Sequence, residues 1–131
     1  MKRVLATMTL CILSSLAYTQ IEVGPERVEE VLCQKWSFKA IIMFNDRLTN
    51  MDESIDYEFL SDGTFVRVNN KGKKKKGTWT YDPESSRIEL RIKRTVLRIT
   101  ALNEEEFSIF PLDENGQINQ LNIGTVFQPT Q

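Results

Sequence analysis

The sequence predicts an all-β fold, an eight-stranded antiparallel up-and-down barrel with a short N-terminal helix. Apolar and polar residues alternate in successive short runs between Trp36 and Phe127, the period of half-buried strands. Connections of hairpin length join the runs, and no helical stretch is long enough for a parallel crossover, so neighbours pair antiparallel. Each run has one apolar face, which a sheet hides by closing on itself or by folding into a sandwich. Both closures use the same alternation; the expectation is the barrel.

Residues 1–19 read as a signal peptide and 20–131 as the barrel domain. Lys2 and Arg3 form a positive n-region, Val4 to Leu13 a short apolar h-region, and small residues follow. Cleavage after Ala17 satisfies a small-x-small rule through Ser15, and cleavage after Thr19 competes with it. The apolar run is too short for a membrane anchor and is interrupted by Thr7, Thr9, Ser14 and Ser15. Cys11 lies inside the h-region behind Leu10, where a lipoprotein cysteine would not stand. The expected location is therefore periplasmic or extracellular. After cleavage Cys33 is the only thiol, so no internal disulfide forms and the core must supply the stability. The mature chain, about 110 residues, suffices for one domain.

Gly24-Pro25 opens a short helix, with Pro25 in the first turn and Glu26, Glu29 and Glu30 toward its positive end. Val28, Val31 and Leu32 make its apolar stripe, and a helix this short needs a hydrophobic surface to lie on. It reads as a plug or lid on the sheet. In the first strand, alternation places Trp36, Phe38, Ala40, Ile42 and Phe44 on one side, while Ile41 and Met43 make the far end apolar on both faces. Ile55, Tyr57 and Phe59 form the second strand. Asp62-Gly63 turns the chain into Phe65 to Val68, and a basic hairpin leads to Gly77-Thr78-Trp79-Thr80-Tyr81. Ile88, Leu90 and Ile92 give the cleanest alternation. Leu97, Ile99 and Ala101 repeat it after Lys93-Arg94, then Phe107 and Ile109 begin a strand. Leu121, Ile123, Thr125 and Phe127 make the last, beyond the Asp113-Glu114-Asn115-Gly116 turn.

The inner face then gathers Trp36, Phe38, Tyr57, Phe59, Phe65, Trp79, Tyr81, Phe107 and Phe127. An eight-stranded barrel has room either for its own side chains or for one small ligand, and nine large rings favour filling. Arg67 argues for a ligand. If Phe65 faces inward so does Arg67, and an enclosed guanidinium could take the carboxylate or phosphate head of an amphiphile while aromatic residues take its tail. The alternatives place Val66 and Val68 inward, or Arg67 at a solvated rim. Lys71-Gly72-Lys73-Lys74-Lys75-Lys76 reads either as a solvated hairpin tip that discourages edge pairing or as a contact for anionic lipid or an acidic envelope protein, with Lys73, Lys74, Lys75 and Lys76 as contact residues.

Trp36 opening the first strand, the Phe59-x-x-Asp62-Gly63-Thr64-Phe65 segment and Gly77-Thr78-Trp79 resemble, in order and spacing, the short lipocalin-like domains of exported bacterial proteins, over nearly all of the mature chain. The resemblance implies a calycin-type barrel with an apolar cavity. The chain differs from lipocalins proper in having Gln34 where they carry a glycine, and in lacking an arginine in the last strand. A shared fold does not by itself transfer a function.

Histidine is absent, which removes histidine-bearing triads, the usual neutral general base and histidine-ligated zinc. Cys33 beside Leu32 reads as a packed thiol with no imidazole to activate it. Asp52-Glu53 and Glu104-Glu105-Glu106 fall in expected turns, where carboxylates stay solvated, and neither has the spacing of a dedicated calcium loop. No metal or cofactor is expected. Loss of Lys2 and Arg3 makes the mature chain more acidic than the formal net charge of −1, which argues against a nucleic-acid binder. The function expected is non-enzymatic binding of a small apolar or amphipathic molecule. The alternative is a solid barrel whose loops contact another envelope protein.

Overall fold

The computed structural model describes residues 20–44, 46–48, 55–118 and 123–131. The expected signal peptide, Asp52-Glu53 and Leu121 lie outside them. The chain runs as β1 (Gln20–Ile21), a 3-10 turn (Pro25–Arg27) continuing into α1 (Val28–Leu32), then β2 (Lys35–Met43), β3 (Asp46–Leu48), β4 (Asp56–Phe59), β5 (Thr64–Val68), β6 (Lys74–Asp82), β7 (Arg87–Ile92), β8 (Thr95–Leu102), β9 (Phe107–Pro111) and β10 (Gly124–Pro129). No described helix is long and apolar enough to cross a membrane.

Strands β2, β4, β5, β6, β7, β8, β9 and β10 follow one another antiparallel, and β10 returns to pair with β2, which closes the predicted eight-stranded barrel. Closure removes the sheet edges that an open meander would expose. Two short strands lie off this ring. β3 pairs the far half of β2, and β1 runs parallel to the end of β8 at Ala101 and Leu102, beyond the last β7 partner. Neither was expected from a period of two, since both are shorter than the pattern needs to show itself.

Up-and-down order puts alternate connections at opposite ends. The helix end holds α1, the β4–β5 turn, the β6–β7 turn and the β8–β9 turn; the lysine end holds the β5–β6 hairpin, Lys93-Arg94 and the connections after β2 and β9. Val28, Val31 and Leu32 belong to the same buried cluster as Trp36, Phe59, Phe107 and Leu102, so α1 does close one end of the barrel. The Trp36 Nε1–H donates to the Leu32 carbonyl at 2.9 Å, which satisfies one of the terminal carbonyls of a single-turn helix and fixes it over the first barrel strand.

Two irregularities change the faces expected from strict alternation. The β2–β10 register shifts between Val126 and Phe127, so that Phe38 pairs Phe127 but Ala40 pairs Val126, with Lys39 as the extra residue. A bulge residue reverses the phase of everything beyond it. Ile41 is thereby placed with Thr125 and Ile109 on the inner face, while Ala40 and Ile42 join Val126 and Gly124 outside. Phe44 ends the strand in a turn, 68% exposed. The second shift, between Ile99 and Ala101 on β8, sends Ala101 outward and Leu102 inward against Phe107. Gly124 is buried without a side chain because the Phe110 ring lies over it; a Cβ there would stand 2.3 Å from that ring.

Candidate functional site

The segments that carried the resemblance meet at the helix end. In the β4–β5 turn the Asp62 carboxylate accepts hydrogen bonds from the Thr64 amide at 3.0 Å and the Thr64 hydroxyl at 2.6 Å, and Gly63 supplies the left-handed step at φ 89°. The Thr64 hydroxyl, then its amide, hold the Asp62 carboxyl below its ordinary value. Trp79 then docks on this turn twice: its amide donates to the Gly63 carbonyl at 2.9 Å and its indole N–H to the Leu60 carbonyl at 2.9 Å. The Asp-Gly and Gly-Thr-Trp motifs are thus two halves of one structural lock.

The nine expected inner aromatics come together as a core. Trp36, Tyr57, Phe59, Phe65, Trp79, Phe107 and Phe127 are buried, with Phe38 and Tyr81 partly buried against them. Phe107, Tyr57 and Phe59 share the centre of this core: the Phe107 ring centroid lies 4.9 Å from Trp36, 5.0 Å from Phe127 and 5.8 Å from Phe59. Tyr57 meets Phe127 edge-on at 4.9 Å and stacks on Phe59 at 5.7 Å. Here the rings spend their faces on one another, as a packed interior requires.

Toward the lysine end the inner face changes character. Trp36 pairs Tyr57, Tyr57 pairs Arg67, and Arg67 pairs Lys75, so the four side chains share one row across β2, β4, β5 and β6. Of the orientations open to Arg67, the structure takes the one toward Tyr57. Burial raises the Tyr57 phenol above its ordinary value, and hydrogen bonding and positive charge from Arg67 offset part of that rise. Arg67 is half-buried, and none of the ion pairs among the described residues includes it. Its other neighbour in the row is a second cation. Like charges directly opposite on a sheet repel, so this pair costs stability unless something anionic comes between them.

The lysine run is not one flexible tip. Asn69 Oδ1 accepts from the Lys71 and Lys73 amides at 2.9 Å each, Gly72 takes φ 78°, and β6 already begins at Lys74. Lys74 and Lys76 therefore pair Val68 and Val66 on the outer face, whereas Lys75 stands on the Arg67 face. Which lysine shares the arginine's side depends on hairpin register, which a run of identical residues does not reveal.

The other chemistry-bearing residues are held structurally. Burial, followed by the charges of Glu29 and Asp62, raises the Cys33 thiol, the opposite of nucleophile activation. Glu104 pairs Arg27 at 2.6 Å, joining the 3-10 turn to the β8–β9 turn. Glu106 receives both Lys39 at 3.0 Å and Arg47 at 2.7 Å. These are more than the solvated turn carboxylates expected from the sequence. Among the described residues no group of acidic or thiol side chains is arranged to hold a metal ion. Comparison with known protein families finds no matching family, and comparison with curated proteins finds no significant match in sequence.

Proposed function

We propose that the protein is an exported, lipocalin-like, non-enzymatic binder of one small anionic amphiphile, held with its head at Arg67. The observation that carries this reading is the half-buried Arg67 guanidinium, turned onto the inner face beside Tyr57 and Lys75 and free of any carboxylate ion pair among the described residues. A guanidinium so placed presents a fork of donors to a carboxylate or phosphate, and the Tyr57 hydroxyl adds a donor on the same side. The partly buried Phe38 and Leu97, at the margin of the aromatic core, offer apolar surface to a tail. Titration with cis-parinaric acid, a fluorescent fatty acid, tests it. Arg67→Ala is expected to weaken binding about 10-fold or more, the loss of a charge-assisted contact. Unchanged affinity, or no binding by the parent protein, overturns the reading.

The ring-on-ring packing around Phe107 favours a second reading, a solid barrel that acts through its loops. Native mass spectrometry of protein from its own host separates the two. A non-covalent adduct lost on denaturation supports the binder, and a bare mass supports the solid barrel.

A further inference from the structure

The two ends of the barrel carry opposite charge. Glu26, Glu29, Glu30, Asp62, Glu104 and Glu105 cluster at the helix end, with Arg27 engaged by Glu30 and Glu104. At the lysine end stand Lys71, Lys73 to Lys76, Lys93 and Arg94, none of them in an ion pair among the described residues. The acidic residues described at that end are Asp46, Asp56, Asp113 and Glu114. Asp56 lies in the row of Val68 and Lys74 without an ion pair among the described residues, and Asp113 is occupied by the Asn115 and Gln117 amides; Asp52 and Glu53 lie outside the described residues. The short β5–β6 and β7–β8 connections hold these cations on a rigid rim rather than on a long loop.

A second, independent feature lies at the same end. Phe44 is 68% exposed and Ile123 48% exposed. Phe44 also adopts φ 53°, a left-handed conformation that a bulky residue enters only at a cost and that asparagine or glycine would take more readily. Ile123 precedes Gly124, which pairs Ile42, so Ile123 and Phe44 emerge from the ends of the same two strands. An exposed aromatic ring at a strained turn, at the strand end next to an exposed isoleucine and around the rim from lysines that make no ion pair among the described residues, carries a backbone cost without burying the ring. A lipid interface rewards both features, taking apolar side chains into the headgroup boundary while its negative surface attracts the cations.

We infer that the lysine end is a docking surface for an anionic lipid bilayer, with Phe44 and Ile123 as shallow apolar anchors and Lys71 and Lys73 to Lys76 as the electrostatic contact, whatever the barrel interior holds. The test is co-sedimentation of the purified protein with phosphatidylcholine vesicles and with phosphatidylcholine vesicles containing phosphatidylglycerol, at low and physiological salt. Binding is expected to the anionic vesicles alone, to weaken as salt rises, to fall about 100-fold or more in a variant with Lys73 to Lys76 changed to glutamine, and to fall several-fold in Phe44→Ser. Equal binding to neutral vesicles, or insensitivity to the lysine changes, overturns the proposal. So does heparin retention in the parent protein as strong as vesicle binding with no effect of Phe44→Ser, which would make the partner a soluble polyanion. Near-UV circular dichroism of each variant checks the barrel, and the composition and salt dependence of the parent protein decides the matter should a variant fail to fold.

Discussion

At the scale of single residues, Gly77 shows how little space the packing leaves. A Cβ there would stand 2.5 Å from the Arg91 carbonyl and 2.5 Å from the Phe65 ring, because Phe65 crosses β6 exactly where the side chain is missing. Gly77→Ala is expected to destabilise the protein by about 1 to 3 kcal/mol through overpacking, read from the urea midpoint at unchanged slope. Glu106 makes a different claim. Hydrogen bonding from Arg47 comes first among the causes that lower its carboxyl below the ordinary value, with Lys39 adding to it against some desolvation. A carboxyl lowered in the folded state contributes stability above its unfolded value, about 4.3, and that contribution disappears as pH falls through the folded value. Because Lys39 and Arg47 are substantially exposed, the effect is about 1 kcal/mol or less. Glu106→Gln should be slightly less stable than the parent protein at neutral pH, and the two denaturation midpoints should converge in acid. The aromatic set and the turn glycines can be picked out from their residue types, whereas the Lys39–Glu106–Arg47 bridge joins residues far apart in the chain and leaves no local pattern.

At the scale of elements, register carries the information. Lys39 is the extra residue that lets Phe38 and Ile41 both face inward, and its ammonium also pairs Glu106. The two roles separate experimentally. Lys39→Ala removes only the ion pair and is expected to cost about 1 kcal/mol or less. Deletion of Lys39 removes the bulge as well but leaves Ala40 to Met43 opposite the same partners and on the same faces, so it is expected to cost about 1 kcal/mol more than Lys39→Ala in a chemical-denaturation titration, through the lost local bend and twist of the closing strand. Equal effects of the two changes would show that the bulge has no structural role. The strands themselves are evident from the alternation of Ile88 to Ile92 or Tyr57 to Phe59, since that period is local. The bulges at Lys39 and Thr100 are not, because a bulge is defined by a partner strand. The lysine run has the same property: five similar residues give no hint of which one faces Arg67, and only pairing with β5 assigns Lys75 to it.

At the scale of the whole molecule, closure of β10 on β2 ties the two ends of the domain into one cooperative unit. Trp36 lies on the closing strand β2, while Trp79 is locked to the β4–β5 turn on another part of the ring. Tryptophan fluorescence and far-UV circular dichroism should therefore give coincident urea transitions, and separated midpoints would show that part of the ring unfolds alone. Residue types, turn chemistry and the period of two sufficed for the hairpin series, the short apolar helix and the aromatic set of the core, because each of these depends on neighbours within a few positions. Tertiary structure alone decided the phase of each strand beyond a bulge, the row that brings Tyr57, Arg67 and Lys75 together, and the separation of acidic and basic residues onto opposite ends. Those depend on which strand lies beside which and in what register, and pairing across a closed sheet is a relation between distant segments that no single segment encodes.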